Sequence, residues 1–460
     1  MMKHRLIQGI GWLALIFLLY IIIGGTVVPL FRPHRKAVSP VHLDSLGTNS
    51  ERVLCIDDNQ QALLWRLRVI DSAKADLVFA TFKLKDDESG RDVMAAIMDA
   101  AERGVNVRMV VDGFSTFVNL RHNAHFDALA AHPNVEVKIY NPVNFWMPWK
   151  LNYRMHDKYL VADNTAYILG GRNTQNMSLG NYQQDKDIDR DVLVYGTRPD
   201  PNGSLMQVRR YFETIWNQKD VKTITAGKKQ DKEGLLAHYQ TLKERYPEAY
   251  APISWKETTY PAQGIRLIHN EPGARNKSPI LWDMLVDLMG QGQHCMIQTP
   301  YMMCNSAMYR DLERINAPEQ PHELVLNSVE TGANLCGCVD YLTEKNRILD
   351  TGLRIYEYVG ANSSHAKTVL IDGRVSVVGS FNFDMRSAYL DTETMLVIDS
   401  PELCAHLEEV VRQEMDMGRE ALENGEYRYG KDYQEIKAGP VKMALYHLMR
   451  IVVLPFRHLL

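Results

Sequence analysis

The chain has 460 residues, of which 45% are hydrophobic and 23% charged, with a net charge of −4. That length holds about two to three globular domains, each with its own core, and the acidic balance supplies no general basic field, so nucleic acid is not an expected partner. The cysteines at 55, 295, 304, 336, 338 and 404 form no CxxC pair and no zinc spacing, and Cys336-Gly-Cys338 reads as two small residues on one strand or loop.

In chain order, the first informative stretch is Ile7 to Phe31, which carries no charge. About 20 apolar residues cross a bilayer as a helix. A cleaved signal peptide has a shorter apolar region, about 7–15 residues, ending in a small-x-small site. This run ends in Val-Val-Pro-Leu-Phe-Arg, so residues 1–31 are expected to be an uncleaved transmembrane anchor. Lys3 and Arg5 precede the span while Arg32, Arg35 and Lys36 follow it, a small excess that points the catalytic body towards the cytoplasm. Residues 32–50 are polar, contain two prolines and read as a linker.

Helical and β-rich segments then alternate. A helix is expected from Asn59 to Lys74, a strand over 75–82, a helix over 90–103, a strand over 105–113, a short helix over 125–132 and a strand over 135–141. The second half repeats this order: strand 294–302, helix 306–315, strand 322–328, helix 338–349 and strand 353–358. Such alternation argues for α/β sheets with helices on both faces. The divisions are 51–220 for a first half, a charged connector over 221–262, a second half over 263–425 and an apolar-basic tail over 426–460. Within the tail, Val441 to Leu460 suits either an interfacial helix on anionic lipid or an element packed on the second half.

Each half ends in the same pattern. His156, Lys158 and Asp163 are followed by Gly170, Gly171 and Asn173; His365, Lys367 and Asp372 are followed at the same offsets by Gly379, Ser380 and Asn382. His and Lys two apart share one face of an extended strand, while Asp157 points the other way, away from any metal-ligand role. Asp163-Asn164 and Asp372-Gly373 read as hairpin loops, placing His156 opposite Gly171 and His365 opposite Ser380. The hairpin thus gathers His, Lys, Asn and a small residue, a patch suited to phosphate: Lys as a point charge, Asn as a neutral donor, Gly or Ser for close backbone approach. Two such patches facing each other supply one His as nucleophile and one as general acid and base. The motif Asp, at the turn, is expected to satisfy turn amides. Another carboxylate is expected to orient each His: Glu393 in the second half and Asp191, within DIDRDVLV, in the first. Gln298 and Tyr301 are expected on a strand near the cleft, where substrate contact and plain packing both fit.

These segments, MHDKYLVADNTAYILGGRN and HAKTVLIDGRVSVVGSFN, resemble the paired signature motifs of the phospholipase D superfamily, and the resemblance runs over roughly residues 52–425. RMHDK, GGRN, HAK and GSFNFDMRS are most similar to bacterial cardiolipin synthases of the subtype that can use two different phospholipids. The resemblance implies a bilobal fold of two pseudo-symmetric α/β/α sandwich halves with one site between them, a covalent phosphohistidine, and neither metal nor cofactor. It implies His156 as nucleophile and His365 as acid and base, with Lys158, Lys367, Asn173 and Asn382 on the phosphoryl oxygens. Glu393 matches the family's His-orienting carboxylate; Gly170-Gly171 departs from the commoner Gly-Ser, and Asp191 stands where a Glu is usual. The expected activity is transfer of a phosphatidyl group from phosphatidylglycerol or phosphatidylethanolamine to phosphatidylglycerol. A hydrolase releasing phosphatidic acid is the alternative, then a nuclease, which the acidic balance and the anchor argue against. A catalytically silent membrane scaffold would be expected to show motif decay, and neither copy shows it.

Overall fold

Alternating strands and helices close into two nine-stranded sheets in the computed structural model, which describes residues 2–47, 50–317 and 319–460. In the first sheet the spatial order is Tyr260–Pro261, Glu51–Ile56, Asp191–Gly196, Ala166–Gly170, Tyr159–Ala162, Asp76–Thr81, Asn106–Asp112, Val135–Tyr140 and Val221–Thr223. The second runs Gly264–His269, Thr394–Asp399, Val375–Gly379, Thr368–Ile371, Cys295–Gln298, Glu323–Asn327, Arg354–Tyr358, Arg419–Ala421 and Tyr427–Tyr429. Seven consecutive strands, from Glu51–Ile56 to Val135–Tyr140 and from Gly264–His269 to Arg354–Tyr358, follow the same order in both. The repeated motif is therefore part of a repeated lobe. The segment 221–262 adds an edge strand at each side of the first sheet, and its helix Lys232–Arg245 buries Leu235, Tyr239 and Leu242 against that lobe.

Helix Asn59–Ser72 starts where the Asp58 carboxylate accepts from the Gln61 amide, and helix Glu88–Glu102 where Asp87 accepts from Gly90. One apolar cluster runs through both lobes, joining Val78, Val161 and Leu169 of the first to Ile297, Val377 and Leu396 of the second. The lobes therefore share a core, which holds the two motif hairpins in a common frame.

Both hairpins differ from the expected register by one residue. The ladders pair Ala162 with Ala166 and Ile371 with Val375, so the loops hold three residues. Asp372 and Gly373 both adopt positive φ, and the Arg374 amide donates to Ile371 O, so the two-residue turn forms. Arg374 is then an extra, bulged residue whose carbonyl accepts from Ser400 on the next strand. Thr165 does the same in the first copy, accepting from Gly196. His156 is therefore not paired with Gly171, nor His365 with Ser380.

The N-terminal helix, Met2–Val27, contains with the following turn a 20-residue window, Gly11–Leu30, of mean hydropathy 2.5 that is long and apolar enough to cross a membrane. Its C-terminal end rests on the two-lobed body: Tyr20 Oη donates to Trp146 O at 2.7 Å and Asn152 Nδ2 to Gly25 O at 2.6 Å. The tail forms helix Pro440–Val453 and a 3-10 turn, Leu454–Leu459. It packs on the second lobe through buried Tyr446 and Val453, with Arg457 paired to Asp340, and His458 Nε2 lies 2.7 Å from Thr26 O of the apolar helix. Its outer side exposes Val441, Leu445, Leu448, Ile451 and Val452, so packing and an apolar outward face coexist.

Candidate active site

The regular ladder begins only at Tyr159 and at Thr368, just after each His-x-Lys. The reason lies across the lobe boundary. The His156 amide donates to Thr392 O at 3.2 Å, and the His365 amide to Ile188 O at 2.6 Å. Ser363–Ser364 runs parallel to Asp187–Ile188, and Met155 bridges Thr392. The backbone before each motif thus pairs with the other lobe, next to a carboxylate of that lobe.

Those carboxylates hold the histidines. Glu393, in the second lobe, lies 2.9 and 3.0 Å from Nδ1 of His156 in the first. Asp189, in the first lobe, lies 2.6 Å from Nδ1 of His365 in the second. The pairing is crossed, whereas a within-half partner was expected, and the first-lobe carboxylate is Asp189 rather than Asp191. Asp191 faces away from both imidazoles, 2.8 Å from Arg66 and 3.6 Å from Arg172. Equivalent backbone bonds identify the match: Gly171 N donates to Arg190 O and Ser380 N to Thr394 O, both at 2.9 Å, so Asp189 corresponds to Glu393.

This correspondence accounts for the Gly-Gly variant. Ser380 Oγ donates to Glu393, as does Ser387 Oγ at 2.7 Å. Asp is one methylene shorter than Glu, and the chain at 171 comes correspondingly closer: a Cβ on Gly171 would lie 2.2 Å from Asp189 Oδ1. The hydroxyl absent there is replaced by the Arg190 amide, which donates to Asp189 Oδ1 at 2.8 Å. The preceding glycines are set by strand approach, since a Cβ at Gly170 would meet Arg190 O at 2.4 Å and one at Gly379 would meet Thr394 O at 2.1 Å.

Lys158 Nζ donates to His156 O at 2.5 Å, and Lys367 Nζ lies 2.9 Å from His365 Nδ1. Both are buried. The Oδ1 atoms of Asn173 and Asn382 are buried without a partner among the described residues. Asp163 and Asp372 are remote from this chemistry: Asp163 accepts from the amides of Lys74, Ala75 and Asp76 at 2.8–2.9 Å, and Asp372 from those of Gln293 and His294 at 2.8–3.1 Å. They tie each hairpin turn to the neighbouring strand entry. Asp157 is held by Tyr211 and Thr392 at 2.9 and 2.8 Å. Gln298 accepts from Arg190 at 2.7 Å, while Tyr301 lines the cavity beside His365. Two neighbours were not foreseen: Phe82 meets the His156 ring edge-on at 4.8 Å, and Arg154 is held by Asp112.

Burial, reinforced by Lys158 and Lys367, holds His156 well below the usual imidazole range. Burial also pushes the Glu393 carboxyl up to about 7 against the pull of Lys158, and pushes Lys158 down to about 7. Burial would raise Asp189 as well, but Lys367, His365 and the hydrogen bond to His365 outweigh it and hold the carboxyl below the usual range. The His156 side chain is 11% exposed and that of His365 24%. One imidazole is thus sequestered and neutral; the other faces a cavity and pairs with an ionised carboxylate.

The family described as "Cardiolipin synthase, PLD-like domain" matches residues 67–216 and 285–415. Cardiolipin synthase C of Escherichia coli (strain K12) is 26% identical over 399 residues, covering 76% of this chain and 81% of its own. Cardiolipin synthase A of Yersinia pseudotuberculosis is 23% identical over 411 residues, covering 86% and 74%. The fold is similar to the crystal structure of phosphatidylserine synthase from Haemophilus influenzae Rd KW20, with a TM-score of 0.64 at 15% identity over 91% of this chain and 98% of that one. With two matching lobes, a crossed pair of carboxylate-held histidines and a family match over more than half its length, this chain belongs to the phospholipase D-like cardiolipin synthase family.

Proposed function

We propose that the protein is a membrane-anchored cardiolipin synthase working through a phosphohistidine. The observation that carries this reading is the crossed arrangement: each motif His has Nδ1 engaged by a carboxylate of the opposite lobe. Engagement at Nδ1 leaves Nε2 as the reactive nitrogen in both rings. Neutral, sequestered His156 suits the nucleophile, and its Nε2 lone pair attacks the phosphorus of a phospholipid. The P–O bond to the head-group alcohol breaks, and His365, as imidazolium paired with Asp189, gives the leaving oxygen its proton. Neutral His365 then takes the proton from a hydroxyl of phosphatidylglycerol; the new P–O bond forms as the P–N bond to His156 breaks. Lys158, Lys367, Asn173 and Asn382 converge on the charge that builds on the phosphoryl oxygens.

The lipid bilayer is the natural source of both substrates, and the surface around the apolar helix supports this. Phe117, Phe145 and Trp146, near the point where that helix meets the body, are exposed, as is the apolar outer side of the tail helix. We place the chain in the bacterial inner membrane with a single N-terminal span. The test is to incubate full-length protein with phosphatidylglycerol vesicles, alone and with phosphatidylethanolamine. Cardiolipin and free glycerol or ethanolamine are the expected products; phosphatidic acid as sole lipid product would overturn the transfer reading in favour of hydrolysis.

A further inference from the structure

A cavity of about 270 Å³ lies between the lobes, lined by Lys83, Gln175 and Asp187 from the first and by Tyr301, Asn334 and His365 from the second. It reaches His365 and does not reach His156. In a displacement at phosphorus the nucleophile and the leaving group lie on opposite sides. A cavity on the His365 side is therefore where the head group departs and where the acceptor enters.

Beside Asn173 and His365 of the reacting centre it carries three further polar groups, Lys83, Gln175 and Asp187. Lys83 is half-buried, and its ammonium makes no hydrogen bond or ion pair among the described residues; burial and the neighbouring Lys85 press its pKa down against the pull of Asp187 and Asp87. Asp187 is 8% exposed. Its amide donates to Met177 O and its carbonyl accepts from Asn59 Nδ2, yet its carboxylate receives no hydrogen bond among the described residues. Gln175 Oε1 is buried with no donor among the described residues. Among the described residues the cavity thus offers two acceptors without a protein donor, Asp187 and Gln175, and one cation, Lys83, without a direct ion pair. Water as acceptor carries no anionic group for Lys83. A polyol phosphodiester uses all three groups: hydroxyls donate to Asp187 and Gln175, and an anionic phosphate meets Lys83.

We propose that this cavity binds the polar head of the acceptor lipid, with Asp187 and Gln175 holding glycerol hydroxyls beside His365 and Lys83 holding the acceptor's own phosphodiester. The site rests on the proposed phosphatidyl transfer and extends it, because it selects an acceptor that already carries a phosphate. His365 removes the proton from the terminal hydroxyl while Asp187 fixes its neighbour, so the acceptor is oriented from both ends.

The test uses full-length protein, phosphatidylglycerol as donor, and two soluble acceptors: glycerol and glycerophosphoglycerol, the deacylated head of phosphatidylglycerol. Wild type should transfer to glycerophosphoglycerol in preference to glycerol. Lys83→Gln should cut that preference by about tenfold or more, since a charge-assisted contact to the second phosphate is lost, and Lys83→Arg should preserve it. Asp187→Asn should weaken use of both acceptors while the preference between them persists. A Lys83→Gln ratio equal to wild type would overturn the assignment. Wild type that yields phosphatidic acid with every acceptor would instead overturn the transfer reading itself, so the two failures are distinguishable.

Discussion

Substituting Gly171 by Ser tests the match between backbone approach and carboxylate length. The new Cβ would lie 2.2 Å from Asp189 Oδ1, where ordinary contact begins near 3.4 Å, so the carboxylate must retreat by about 1 Å. Asp189 is a short side chain held at both oxygens, by the Arg190 amide at 2.8 Å and by His365 Nδ1 at 2.6 Å. It can move without unfolding the lobe, but only by breaking those bonds. A hydrogen bond to a charged group is worth about 1.5–3 kcal/mol, so loss of the His365 contact should slow turnover by roughly 10- to 150-fold. Adding Asp189→Glu recreates the Ser380–Glu393 arrangement of the second lobe and should recover a large part of that loss. The assay is cardiolipin formation by full-length protein, with thermal melting as a check on folding. Gly171→Ser turning over within about twofold of wild type, or a double variant no better than the single, would refute the reasoning.

Further predictions follow from individual contacts. Neutral His156 needs ionised Glu393 as its Nδ1 acceptor, and burial has pushed that carboxyl up to about 7; kcat/KM should fall as pH drops through that value, and Glu393→Gln should remove this limb while lowering the rate. For stability the sign is opposite: the folded-state value lies above the ordinary 4.5, so the contribution is complete below about 4.5 and lost as pH rises through about 7. Glu393→Gln should therefore melt no lower than wild type at pH above 7, and a clearly depressed Tm there would contradict the burial argument. Asp163→Asn weakens a carboxylate that accepts three backbone amides; a loss of about 1–3 kcal/mol of stability, with the folded fraction still forming a phosphatidyl adduct, is expected in denaturant titration and single-turnover labelling. Asp191→Asn leaves Arg66 and Arg172 buried without their counter-charge, and about 3–5 kcal/mol of stability should be lost, with the pH profile of the surviving activity unchanged.

Much of the architecture was legible because local periodicity carries it. The helix over Ser306–Ile315 and the strands over Glu323–Asn327 and Arg354–Tyr358 lie where the apolar spacing put them, and the repeated His-x-Lys with its Gly and Asn named the site's main groups. Register was less accessible: a single bulged residue, Thr165 or Arg374, shifts each hairpin, and the carbonyl bond to the next strand that favours it is a tertiary contact. In DIDRDVLV three aspartates alternate, so parity could not separate Asp189 from Asp191. Aligning the apolar runs Val192–Val194 and Leu396–Ile398 would have set Asp189 opposite Glu393.

The amino-acid order alone determined that two equivalent half-sites exist, each with a His, a Lys and an Asn at matching offsets. Which carboxylate serves which histidine was decided only by the tertiary structure. His156 meets Glu393 and His365 meets Asp189 because the chain before each motif hydrogen-bonds across the lobe boundary. Two lobes sharing one core make that exchange possible, and no spacing within either half encodes it.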